Sequence, residues 1–246
     1  MAQYQTVRTG AAGTRTAQID EGLRAHMNKV YGLMSVGMLL TAGVAWAVGT
    51  TPALLAIFRN PETLQPNLLG WIVMFAPLLM VFGLAGMINR MSAAAAQFMF
   101  YTFSAVMGLS ISWIFVAFTG LSIAQVFLTT AVAFAGLSLW GYTTKKDLSG
   151  WGTFLMMGVI GLIVAMIVNL FLASAAIMFV VSALGVLIFA GLTAYDTQSI
   201  KNEYIQHAAQ NDQEWLDKSA TMGALRLYLD FINMFMFLLQ FLGARE

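Results

Sequence analysis

The chain has no cysteine, only two histidines and four prolines, and few charges of either sign. Without cysteine there are no disulfides, no thioether-linked haem and no thiolate metal sites, and the redox compartment is left open. His26 and His207 lie in polar segments without HExxH spacing, so zinc hydrolysis is a poor reading and surface histidines are the expectation. All five lysines lie in the tail or in loops, which excludes a retinal protein with a Schiff-base lysine in a late helix. No Gly-x-x-x-x-Gly-Lys motif occurs, which argues against nucleotide-driven transport. The net charge of +1 supplies no bulk field for nucleic acid. Charged residues make up 9% of the chain, against about 25% in soluble domains.

What remains is apolar: 59% of the 246 residues are hydrophobic, and the mean hydropathy is +0.77. This is the composition of an all-α integral membrane protein. Runs of about 20 apolar residues cross about 30 Å of hydrocarbon, and the charge-poor stretches divide into seven. They cover 30–49, 68–88, 98–118, 122–141, 151–172, 175–195 and 222–242. Two long uncharged stretches must each hold a pair of helices, and turn residues place the breaks near Thr119-Gly120 and Ala173-Ser174. Both turns are minimal, so the helices they join are antiparallel hairpins. Residues 1–29 form a polar tail, mobile at its start, and 30–246 the seven-helix domain. Ala45-Trp46-Ala47 mimics a signal cleavage site, but the run around it is long enough to span the bilayer.

With the N-terminus inside, Arg8, Arg15, Arg24, Lys29, Arg90, Lys145, Lys146, Lys201 and Lys218 fall on the cytoplasmic face, and only Arg59 and Arg245 on the other. That bias orients the bundle N-in and C-out. The acidic connection at 197–220 reads as a solvated cap extending helices six and seven rather than a cation-attracting vestibule. Ser104, Gly108 and Ser112, and Gly158, Gly161 and Ala165, recur at helix-contact spacing and are read as packing positions. The 17 methionines and 18 phenylalanines are read as filler or lipid-facing residues. Pro77 falls inside helix two.

Against this background two acids stand out, because a carboxylate in hydrocarbon is costly and is read as functional by default. On an ideal helix seven, Arg226, Asp230, Asn233 and Gln240 lie within about 40° of one stripe. Such a polar spine must face the bundle interior, since unsatisfied polar groups in lipid cost several kcal/mol. Asp196 ends helix six on the face of Thr193, Phe189 and Ser182. If helix six stops at Tyr195, Asp196 is interfacial; if it continues to Ile200, Asp196 reaches the spine of helix seven. The sequence leaves both open.

Four segments together resemble the Bax inhibitor (transmembrane Bax inhibitor motif) family, in its bacterial branch. They are Val30-Tyr31-Gly32-Leu33, Lys145-Lys146-Asp147-Leu148-Ser149, Tyr195-Asp196 with Gln198 and Ile200, and Leu227-Tyr228-Leu229-Asp230-Phe231-Ile232-Asn233. The resemblance implies a last helix wrapped by the other six, in a bacterial cytoplasmic membrane. It also implies that Asp196 and Asp230 match the family's paired carboxylates, a pH-sensing gate and ion-binding site of a calcium leak channel, with calcium ions as the permeant species and no cofactor. Arg90 falls close to a basic position of bacterial relatives, and is either hydrogen-bonded to the pair or a cytoplasmic anchor. Arg226 and Asn233 would also modulate the pair. Bacterial relatives can carry an arginine where this chain has Gln240, so an outer gate relying on that charge is in question.

Neighbouring carboxylates titrate as a coupled pair. With one proton shared, a hydrogen bond joins helices six and seven; with both ionised, repulsion opposes the contact and leaves a negative, oxygen-rich pocket. Two aspartates are too few ligands for a tight calcium site, which suits passage better than storage. Other membrane proteins are the alternative partners: a non-transporting regulator could bind a membrane protease or channel through the tail and cytoplasmic loops. An intramembrane aspartyl protease is the enzymatic rival. Such enzymes need Gly-x-Gly-Asp and a later Pro-Ala-Leu, whereas this chain has Leu227-Tyr228-Leu229-Asp230 and no proline after Pro77.

Overall fold

Capping side chains and turn residues, more than hydropathy, decide where the helices begin and end. In the computed structural model, which describes residues 3–207 and 212–245 and the side chains from residue 19 onward, α1 spans Gln3–Gly49 and the short α2 Pro52–Phe58. Then α3 (Leu68–Met87) ends in a 3-10 turn, Ile88–Arg90, and α4 (Ala93–Ile111) is followed by α5 (Ile114–Ala117). The chain continues through α6 (Gly120–Thr143), α7 (Trp151–Leu172), α8 (Ala175–His207) and α9 (Gln213–Leu242). With α4 and α5 counted together, seven stretches among the described residues are long and apolar enough to cross a membrane, so the chain is an all-α membrane bundle.

Side-chain oxygens of Asn67, Ser92, Thr119 and Asp212 accept from the backbone N–H three residues on, opening α3, α4, α6 and α9. The expected breaks are both present. Thr119 caps α6, and Ala173 closes α7 in the left-handed conformation, φ 48°. That strained turn is held by Asn169, whose backbone carbonyl accepts from Ala173 N–H and whose side chain accepts from Ser174 N–H. Pro77 sits within α3, which continues through it.

Four boundaries differ from the sequence reading by several residues, all on the cytoplasmic side, α4 starting at Ala93 instead of 98. Helix six does not stop at 195 but runs to His207, and helix seven starts at Gln213 instead of 222. The tail expected over 1–29 is helical from Gln3; residues 1 and 2 lie outside the described residues. Its last turns pack: Leu23, His26, Met27 and Val30 are all buried. His26 is therefore not a surface residue. It stacks on Tyr204 of the α8 extension with ring centroids 4.9 Å apart, because an apolar stripe carries α1 against the prolonged helices. His207 stacks on Trp215 across the connection.

The last span is the centre. In its most apolar window 61% of residues are buried, against 17% in α3 and α7. Four helices flank α9, namely α8, α1, α6 and α4; α3 packs outside on α4 and α7 on α8. The expectation of six wrapping helices is thus corrected to four, with two in an outer layer. Small residues permit the close crossings. A Cβ on Gly108 would lie 2.6 Å from the Thr41 carbonyl, and one on Gly141 would run into the backbone of Ala194. Gly161, expected at a contact, is exposed with open space around it.

The charges sort by end as the orientation requires. Lys29 bonds Asp217 at 2.7 Å and Lys201 donates to the Tyr142 carbonyl at one end. At the other, Arg59 shares a recess with Trp113 and Arg245 lies over the Phe118 ring.

Candidate functional site

Because α8 continues past Tyr195 as a helix, Asp196 is carried on its inner face, one turn beyond the fully buried Thr193. Opposite it on the central helix stands Asp230, 3% exposed. The two carboxyls are close neighbours across the α8–α9 interface, each a charged group acting on the other. A hydrogen bond between two carboxyls needs a proton held between them, so what this pair can do depends on whether it keeps one. The Asp230 Oδ2 has no protein partner among the described residues. An unpartnered buried carboxylate oxygen is an acceptor in waiting, for a water, a proton or a cation.

The groups named from the sequence behave differently from one another. Arg226, one turn before Asp230, is a charge facing the pair, and its Nη1 donates to Glu203 Oε1 at 2.7 Å. Asn233 turns back on its own helix, its amide donating to the Leu229 carbonyl at 2.8 Å. Arg90 is exposed in the 3-10 turn after α3 and makes no hydrogen bond or ion pair among the described residues, nor is it among the charges facing the pair. Of its two readings, the geometry leaves the anchor. Gln240 shares a pocket of about 410 Å³ with Asn169, Ser174 and Arg245, so the cation missing at position 240 is brought to the same outer recess by Arg245.

Glu203 is the residue that the sequence reading missed. It was placed in a solvated cap, yet it lies seven residues, two turns, after Asp196 on the same face of α8. It accepts from Arg226 and, at 3.2 Å, from Ser199 Oγ. The sequence signal was there once α8 is allowed to continue: 196 and 203 share one stripe. A polar recess of about 150 Å³ opens beside the site, lined by Tyr195, Gln198, Ser199, Asn202 and Glu203. Of the charged cluster, Glu203 lines it.

Hydroxyl ladders brace this layer. Tyr31 of α1 bonds Ser138 of α6 at 2.6 Å, and Ser138 bonds Thr197 of α8 at 2.9 Å. Tyr228, two residues before Asp230, bonds Thr41 of α1 at 2.6 Å, and Thr41 reaches the Ser104 carbonyl of α4. Gln198 grips the 144–150 loop with both ends of its amide, accepting from Leu148 N–H at 2.7 Å and donating to the Lys146 carbonyl at 2.8 Å. In that loop, outside the spans, the Asp147 carboxyl is held below its ordinary range by hydrogen bonds from Ser149. The Lys145–Ser149 segment and the Tyr195–Ile200 segment, distant in sequence, are thus one structural unit beside the aspartates.

The profile of the family described as inhibitor of apoptosis-promoting Bax1 matches residues 23–246. The chain belongs to the Bax inhibitor family. It is 45% identical over 226 residues to the inner membrane protein YbhL of Escherichia coli K12, covering 92% of this chain and 94% of that one. It is 39% identical to protein RP147 of Rickettsia prowazekii over 247 residues, the whole of both, and 39% identical to YrjE of Lactococcus lactis over 229 residues, 92% of this chain and 93% of the relative. These relatives are bacterial, and with seven apolar helices among the described residues the chain is a multi-pass protein of the bacterial cytoplasmic membrane.

Proposed function

We propose that this Bax inhibitor family protein is a pH-sensitive calcium leak channel, non-enzymatic, in which the Asp196 and Asp230 pair is the gate. One observation carries the reading: the two carboxyls meet across the α8–α9 interface, with an oxygen of Asp230 left over. While the pair keeps a proton, the hydrogen bond ties α8 to the central helix. When that proton leaves, two negative charges repel at short range, the contact is released, and the oxygens face the passing cation. Arg226 and Glu203 stand on the cytoplasmic side and set how easily the proton leaves. In this reading calcium is a cargo to be passed, weakly held and hydrated, because two carboxylates supply too few ligands for a tight site.

Liposomes loaded with a calcium indicator and containing the full chain test this directly. Asp196→Asn and Asp230→Asn each mimic the protonated partner, and each is expected to hold the flux at the wild-type acidic level across the pH range. An unchanged flux and pH response in both variants would sink the reading. Cleavage of a transmembrane peptide, expected to be absent, separates it from an intramembrane aspartyl protease.

A further inference from the structure

The first and fourth spans, α1 and α6, are neighbours around the centre without packing closely on one another. Between them runs a crevice with the central helix as its floor. Its cytoplasmic part holds about 660 Å³ between α1 and α6, with Phe231 of α9 at its base. A second part of about 400 Å³ continues it outward over Ile232 and Phe235, sharing Met38, Ala42 and Phe127 with the first. Along α1 the lining extends from Tyr31 to Ala45, about 21 Å at 1.5 Å per residue. That is longer than one leaflet of a hydrocarbon core about 30 Å thick. The shape asks for a chain lying along the helix axis, not a compact ligand.

The lining is polar at one end only. The hydroxyls of Tyr31, Ser35 and Ser138 stand at the cytoplasmic end; beyond them only Thr41, itself bonded to Tyr228, interrupts an apolar surface without charge. The cytoplasmic rim is basic. Arg24, exposed, shares the stripe of α1 that carries Tyr31 and Ser35, and Lys145 and Lys146, exposed, follow the end of α6. Lys201 adds a third helix by reaching the Tyr142 carbonyl, one turn beyond Ser138. Against these four cations stand the acids Asp20, Glu21 and Asp147, and Asp147 already accepts from Ser149. A positive rim above a long apolar slot, inside a bilayer, is complementary to one molecule class.

We propose that this crevice binds an anionic phospholipid of the cytoplasmic leaflet, one acyl chain lying between α1 and α6 against α9 and the headgroup on the basic rim. Lipid tails are as apolar as the crevice walls, so packing against the slot and headgroup charge supply the preference. The bound chain fills the gap between α1 and α6 above Phe231, Ile232 and Phe235, which the protein itself already keeps buried. Its contact with Phe231 places it next in sequence to Asp230.

The test uses the full chain in liposomes doped with a phospholipid bearing a diazirine on its acyl chain, as phosphatidylglycerol or as phosphatidylcholine with identical chains. Mass spectrometry of the crosslinked peptides is expected to place the label on α1 between Tyr31 and Ala45 and on α6 between Phe127 and Leu139. Phosphatidylglycerol should label about fivefold more, the worth of one basic side chain at an anionic surface. Ala42→Trp and Ala135→Trp, both at exposed positions lining the slot, should each remove most of the label. Leu170→Trp on the outer helix α7 should not. Arg24→Gln combined with Lys145→Gln and Lys146→Gln should abolish the headgroup preference. Label elsewhere, equal label from both lipids, or label undiminished in both slot variants would overturn the proposal.

Discussion

At Asp196 two charges of opposite sign compete. Arg226 favours the ionised pair, and Glu203, by holding the guanidinium at 2.7 Å, draws part of that charge away. The sequence made Arg226 visible as part of a stripe and left Glu203 in a loop, so the competition became legible only when α8 was seen to continue. It has a measurable sign. Arg226→Gln removes the counter-charge, ionisation becomes harder, and the midpoint of the flux–pH profile is expected to move to more alkaline pH by about one unit. Glu203→Gln leaves Arg226 to face Asp196 alone and should move the midpoint to more acid pH. A shift in the same direction for both would mean that the ion pair acts only as a structural brace. The interior position of Asp230 was legible from helical spacing alone, whereas the depth of Asp196 turned on a helix end that hydropathy does not mark.

Helix ends inside the hydrophobic layer were readable because turn chemistry is local: Thr119 caps α6 and the Ala173-Ser174 break follows from Asn169. The cytoplasmic ends were not readable, because there the helices persist on tertiary contacts. Tyr204 under His26, and Ala220 and Thr221 buried in α9, keep polar-flanked turns helical where a hydropathy window has already stopped. Small residues were found by spacing, but spacing cannot tell which side of a helix faces lipid, and so Gly161 was misplaced while Gly108 was not. The close crossing of α6 on α8 gives a stability prediction. Gly141→Ala sets a Cβ against the Ala194 carbonyl, prising α6 from α8 two residues from Asp196. The cost expected for such overpacking is about 1–3 kcal/mol, read as a lower thermal midpoint in detergent. An unchanged midpoint would show that the crossing relaxes freely.

For the whole molecule, the absence of cysteine turns into a tool. Any single introduced thiol is the only one present, so sidedness can be read without background. Glu62→Cys, in the loop before α3, should react with a membrane-impermeant maleimide in spheroplasts, and Ser149→Cys, in the loop gripped by Gln198, should react only after lysis. The reverse pattern would invert the bundle and move the aspartate pair to the opposite side of the bilayer. The bundle also has an order of construction. Its core is α9, the last of the seven spans in chain order, and α1, α4, α6 and α8 find their common partner only in it. During synthesis those four helices enter the membrane around an axis that is not yet occupied. The Thr41 hydroxyl has only the carbonyls of Gly37 and Ser104 until Tyr228 leaves the ribosome. Maturation of this protein is then the filling of a cage from within, and the aspartate pair forms at the moment the cage closes.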